Sequence, residues 1–176
     1  MKYQRKTTFP AFLSTFILCA LFWLMLTGSF AVEELIVGAL VSAVVAFFSA
    51  KFLIHDSALW LLHPGRFLTL LFYCIIIFPW ELIKANVDVA LRALSPSLPI
   101  NPGIVKVPVG LKSAYGRTML SDSITLTPGT ITMEMAEEGE QLYYYIHWID
   151  VKETDSVKAG EAIKGTLEKW VGRIWK

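Results

Sequence analysis

Between Thr7 and Val32 the chain carries no Asp, Glu, Lys or Arg. An α-helix rises 1.5 Å per residue, so roughly 20 such residues cross the ~30 Å hydrocarbon core of a bilayer. A run of this length is far too apolar to lie on the surface of a soluble domain. The pattern then continues. From Thr7 to Ile83 the only charged residues are Glu33, Glu34, Lys51, Asp56, Arg66 and Glu81, each between or at the end of apolar runs. From Lys84 onward charges recur every few residues. The overall charged fraction of 18% therefore averages a membrane half and a water-facing half, and lies below the ~25% usual for soluble domains.

The first spanning segment is predicted over about Phe9–Leu26, with a tight break at Gly28-Ser29, and the second over about Leu35–Ile54. Lys2, Arg5 and Lys6 precede the first, and His55, Asp56, His63 and Arg66 come after the second. The positive-inside rule puts the amino end and the 55–66 loop in the cytoplasm, with Glu33 and Glu34 as solvated residues at an outer turn. Lys51, in the last turn of the second segment, has a stem long enough to snorkel to the headgroups. Lys2–Lys6, the apolar run and Ser29-Phe30-Ala31 also resemble a cleavable secretory leader. The run is longer than the usual leader core and a second apolar segment comes at once, so it reads as a retained span.

The third apolar segment, Phe67–Trp80, has 14 uncharged residues before Glu81. That length suits a span or an interfacial segment, and Pro79 and Trp80 mark its end. A full span would put the C-terminal residues outside, whereas an in-plane helix would leave them in the cytoplasm. Beyond Trp80, Ile83, Val87, Leu91 and Leu94 fall on one helical face and Lys84, Asp88 and Arg92 on another. Ion pairs at that spacing are worth ~0.3–0.5 kcal/mol each.

Three prolines between Ser95 and Gly103 forbid a continuing helix and form a stiff connector. Ile104–Val109 reads as a strand, and Pro108 suggests either an edge position or the strand's end. A short helix is expected near Tyr115–Ser123. Ile124–Thr130 reads as a β-rich stretch broken at Pro128-Gly129. Ile131, Met133 and Met135 alternate with polar residues as a half-buried strand does. After the Glu137–Glu140 turn, Leu142, Tyr144, Ile146 and Trp148 alternate with Tyr143, Tyr145 and His147, completing a β-hairpin. Thr154 or Asp155 is suited to cap a last helix, striped by Val157, Ile163, Leu167, Trp170, Val171 and Ile174. The expected fold is a membrane α-helical half of two spanning helices plus a third membrane-embedded or interfacial helix, followed by a small α+β domain. Its divisions are 1–95, a Pro-rich connector 96–103, and 104–176.

The net charge of +1 carries no basic excess for nucleic acid. Cys19 and Cys74 lie in apolar segments and read as packed thiols. His55, His63 and His147 lack metal-ligand spacing. Ser121, Asp122 and His147 have the residue types of a hydrolytic triad but no nucleophile elbow. No catalytic residue, metal or cofactor is expected.

Four segments are familiar: Glu81-Leu82-Ile83-Lys84-Ala85-Asn86-Val87-Asp88-Val89-Ala90, Pro102-Gly103-Ile104-Val105, Ile124-Thr125-Leu126-Thr127-Pro128-Gly129-Thr130, and His147-Trp148-Ile149-Asp150. On these the chain resembles the E subunit of the Mrp-type multisubunit cation/proton antiporters, the MnhE family, over nearly its whole length. Related subunits occur in energy-converting membrane hydrogenases. The resemblance implies a multi-pass chain of the cell membrane with a cytoplasmic C-terminal domain. Its role would be a non-catalytic accessory or assembly subunit for monovalent cation/proton antiport, held among other integral membrane subunits. The alternatives are the equivalent subunit of a hydrogenase-like complex and a stand-alone membrane adaptor. Thr127, Pro128, Gly129, Thr130 and Glu81 are the candidate partner-docking residues. The competing reading of the first four is a plain turn, and of Glu81 a surface ion pair with Lys84.

Overall fold

The computed structural model describes residues 9–52 and 63–175. Lys2, Arg5, Lys6, His55, Asp56 and the Lys51 side chain lie outside the described residues. Contacts divide the chain into two compact units, Met1–Pro64 and Gly65–Lys176.

In the first unit, α1 (Phe9–Thr27) and α2 (Val32–Phe52) form a helical hairpin. Gly28 closes α1 with φ +60°, and its N–H reaches the Leu24 carbonyl at 2.9 Å, the left-handed cap for which glycine is best suited. Lipid offers no apolar driving force between helices, so close approach depends on small residues. Here Gly38, Ser42, Ala46 and Ala50 recur every fourth position of α2, and all are buried. A side chain at Gly38 would meet the Trp23 ring at 2.5 Å. Ser14 and Thr15, buried on α1, donate back to the Ala11 carbonyl at 3.1 and 2.8 Å, which meets the requirement that polar groups in hydrocarbon find partners within the protein. Glu33 and Glu34 occupy the first turn of α2, where the helix dipole favours negative charge.

The second unit begins with one helix of 31 residues, Pro64–Leu94. It runs as α3 (Pro64–Phe72), a π-helical turn (Tyr73–Ile77) and α4 (Phe78–Leu94). The third apolar segment and the amphipathic stretch beyond Trp80 are thus continuous. Pro79 has no N–H to give the Ile75 carbonyl, and its ring would crowd that oxygen. The wide turn just before it, closed by the Phe78 N–H on the Tyr73 carbonyl, accommodates the proline without breaking the helix.

Three antiparallel strands come next, β1 (Gly103–Val109), β2 (Thr130–Glu138) and β3 (Gln141–Trp148), in the order β1-β3-β2. Pro108 therefore sits on an edge strand, as expected. Gly139, φ +63°, opens the two-residue loop between β2 and β3. Helices α5 (Ala114–Leu126) and α6 (Ser156–Ile174) cover one sheet face. Val107, Leu120, Ile124, Tyr144, Ile146, Val171 and Ile174 are completely buried there, each worth about 1.5–3 kcal/mol of hydrophobic stabilisation. Asp155 caps α6, its Oδ1 accepting from the N–H groups of Val157 and Lys158 at 3.1 and 3.0 Å.

Three local expectations are corrected. Ile124-Thr125-Leu126 is the last turn of α5, not strand: Leu120 and Ile124 bury together at i, i+4 spacing, and that helical pairing outweighs β propensity. Ile131, Met133 and Met135 are 49–61% exposed rather than half-buried. A bulge between Thr132 and Glu134 puts Ile131 opposite His147 and Met135 opposite Tyr144, so the two fall on different faces. Val157, in the first turn of α6, is 66% exposed. The buried stripe of α6 runs instead through Ala159, Gly160, Lys164, Leu167, Val171 and Ile174. Lys164, only 5% exposed, is accommodated there by an ion pair with Glu168, whose other oxygen accepts from the Gly110 N–H at 2.6 Å.

Candidate partner-docking site

The Thr127-Pro128-Gly129-Thr130 turn ends α5 and starts β2. Thr127 and Thr130 both direct their hydroxyls at the Ile124 carbonyl, at 2.7 and 2.8 Å. These bonds satisfy an orphan carbonyl at the helix terminus, so the two threonines hold the turn instead of projecting toward a partner. Gly129 has φ +91°, and an added side chain would lie 2.9 Å from Ile149 Cγ2. Its carbonyl accepts from the Ile149 N–H at 2.8 Å. The turn is therefore stitched to the end of β3, with Pro128 and Gly129 as its outward surface.

That surface lines a cleft of about 250 Å³, closed by Glu81, Lys84 and Asp88 of α4, Trp148 at the end of β3, Ile149 just beyond it, and Ile163 of α6. All five candidate docking residues line it, although Glu81 lies 46 positions or more from the others. Glu81 pairs with Lys84 at 2.7 Å, the lysine half-exposed and the glutamate 20% exposed. Polar groups thus stand at the mouth, while Trp148, Ile163 and Leu167 supply an apolar floor.

The most connected residue here escaped the sequence reading as anything but one member of an exposed ion-pair row. Arg92 binds Asp88 at 2.8 Å, Asp150 at 2.8 Å and the Pro99 carbonyl at 2.6 Å. Its fork ties the end of α4 to the connector and to the segment after β3. Asn101 completes the knot, its N–H reaching the Ile149 carbonyl at 3.2 Å and its own carbonyl accepting from the Val151 N–H at 2.8 Å. The signal for this node lay in position: Arg92 follows the first familiar segment by two residues and Asp150 ends the last.

Ser121 and Asp122 lie on α5, whereas His147 stands beside the fully buried Ile146 and faces the sheet side turned away from that helix. The three do not share a face. Among the described residues no three His, Cys, Asp or Glu side chains gather as a metal site would require.

An apolar helical hairpin joined to a small α+β domain, with a long helix along the domain's flank, defines a class: a membrane protein with an appended polar domain. The profile of the MNHE family, described as Na+/H+ ion antiporter subunit, matches residues 16–174. The chain belongs to that family. It is 33% identical over 157 residues to the E subunit of the Na(+)/H(+) antiporter of Alkalihalophilus pseudofirmus, covering 89% of this chain and 93% of that one. It is 34% identical over 159 residues to the E1 subunit of the Na(+)/H(+) antiporter of Staphylococcus aureus, covering 88% and 91%. Among solved structures, a chain of the membrane-bound sulfane sulfur reductase (MBS), an archaeal respiratory membrane complex, is similar with TM-score 0.77 and 43% identity, over 94% of this chain and 99% of that one.

Proposed function

We propose that this chain is a non-catalytic accessory subunit of a multisubunit monovalent cation/proton antiporter complex in the cell membrane. The observation that carries the reading is the match over residues 16–174 to antiporter subunits. The hairpin agrees with it: its helices meet along buried small residues, with the acids of α2 confined to the first turn, whereas ion paths in membranes are marked by ionisable groups at depth. Ion movement therefore belongs to partner subunits. The polar domain, 104–176, comes after the 96–103 connector and lies on the cytoplasmic side, in keeping with Arg66 and His63 after the second span. The turn Thr127–Thr130, with Glu81 across the cleft, docks a neighbouring subunit through Pro128, Gly129 and the carboxylate.

Purification of the tagged chain in mild detergent tests this. Co-migration with larger, many-spanning subunits and cation-dependent proton movement in vesicles are expected; a functional monomer would overturn it. Pro128→Ala with Glu81→Gln, which leaves both threonine caps intact, is expected to weaken co-purification. Intact assembly of that variant would overturn the docking role.

The 43% identity to the MBS chain supports a second reading, the equivalent subunit of a respiratory redox complex. Co-purifying partners rich in iron would decide for it, and iron-free partners against it.

A further inference from the structure

We infer that the Pro64–Leu94 helix lies in the plane of the membrane, its outer face immersed at the headgroup–acyl boundary, and does not span. The inference rests on the membrane-anchored reading above and adds to it the seat of the polar domain on the lipid surface. One side of the helix is held by that domain along its length. Tyr73 bonds Ser123 at 2.7 Å, Phe72 packs on Trp170 with ring centroids 5.2 Å apart, Val89 closes over Gly129, and Arg92 bonds Asp150 at 2.8 Å. Tyr73 to Arg92 is roughly 28 Å of helix at 1.5 Å per residue, nearly the full ~30 Å of hydrocarbon. Were this stretch to cross the bilayer, the charged domain clamped beside it would be dragged into lipid, at a cost of several kcal/mol for each unsatisfied polar group.

The opposite side is apolar and uncovered. Leu68, Ile75, Trp80, Ile83, Val87 and Leu91 are 52–66% exposed, an unbroken stripe with Trp80, a side chain suited to headgroup depth, near its middle. Water is a poor neighbour for such a stripe. Chain continuity supplies the lipid: α2 ends at Phe52 and α3 begins at Pro64, so the helix starts a short tether from the membrane surface. Helices with one apolar and one polar face sink about 5–10 Å into that boundary.

The test uses the full chain in phospholipid vesicles, with Cys19→Ser and Cys74→Ser, and a nitroxide on one introduced cysteine at a time: Leu68→Cys, Ile75→Cys, Ile83→Cys or Leu91→Cys. Collision with oxygen and with a water-soluble nickel reagent gives depth. All four labels are expected at one shallow depth of about 5–10 Å, with Val41→Cys in α2 near the bilayer centre, about 15 Å down. Depth that deepens and then rises along the helix would show a span and overturn the inference. Full exposure to the aqueous reagent would also overturn it and give the stripe to a protein partner. The readout is independent of co-purification, so a chain that assembles with no other subunit can still pass, and one that assembles can still fail.

Discussion

The Tyr73 hydroxyl donates a 2.7 Å hydrogen bond to Ser123 Oγ, which in turn donates to the Met119 carbonyl at 2.7 Å. Tyr73 belongs to an apolar stretch of the chain and Ser123 to a helix of the polar domain. The bond makes the long helix a structural part of that domain.

Tyr73→Phe keeps the packed ring and removes one buried hydrogen bond, at a cost of about 1 kcal/mol. Tyr73→Ala opens a cavity against Phe78 and α5 and costs about 3–5 kcal/mol. Equilibrium unfolding of the detergent-solubilised chain, followed by fluorescence of Trp170 and Trp175, checks both. Equal small effects would mean that the helix is not docked.

Two glycines with positive φ separate backbone strain from crowding. At Gly139 an added Cβ meets nothing within 4 Å, whereas at Gly129 it meets Ile149 at 2.9 Å. Gly139→Ala is expected to cost about 1–2 kcal/mol, the left-handed strain alone. Gly129→Ala adds overpacking of about 1–3 kcal/mol and pushes β3 from the turn. The difference between the two melting shifts is the measurement.

Lys164 and Glu168 form a largely buried pair in which, among the described residues, Glu168 has a second partner, the Gly110 N–H. Glu168→Gln leaves the ammonium buried without its counter-charge and is expected to cost about 3 kcal/mol. Lys164→Met, which keeps the stem volume and leaves the carboxylate bonded to Gly110, costs less. Unfolding free energies in the reverse order would refute the assignment.

On the uncovered sheet face, Lys106 Nζ sits 2.6 Å from Glu138 and over the Tyr143 ring at 4.2 Å. The ammonium holds the Glu138 carboxyl below its ordinary value of 4.5, and the carboxylate holds Lys106 above its ordinary 10.5. A depressed carboxyl stabilises the fold above its unfolded value and loses that contribution as pH falls through the folded one. A raised ammonium stabilises below its unfolded value and loses it as pH rises through the folded one. The pair's contribution is therefore complete between the two ordinary values, 4.5 and 10.5, and is lost only as pH falls through the lowered Glu138 value or rises through the raised Lys106 value. Carbon-detected NMR titration of Glu138 checks it, with Lys106→Ala expected to return the midpoint toward 4.5. Both groups are exposed and salt weakens the effect.

Arg92→Lys keeps the charge but cannot reach Asp88, Asp150 and the Pro99 carbonyl together, since an ammonium lacks the planar fork. Faster proteolysis or amide exchange at 95–102 is expected. Unchanged protection would mean that Asn101 alone holds the connector.

The sequence by itself determined the two apolar spans, the hairpin of β2 and β3, a cap for the last helix at Thr154 or Asp155, and an edge or strand-end position for Pro108. Each arises from local periodicity, charge exclusion or backbone chemistry within a few residues. It also placed Thr127–Thr130 and Glu81 among the candidate docking residues, but not as neighbours across one cleft. Only the tertiary structure decided that Pro79 is absorbed by a π-helical turn, that Ile124 is helical, that the bulge turns Ile131 and Met135 to opposite faces, and that Arg92 reaches Asp150. The physical reason is common to all four. Each depends on which distant surface a side chain packs against, and burial energies between segments tens of residues apart override the short-range preferences that a linear pattern records.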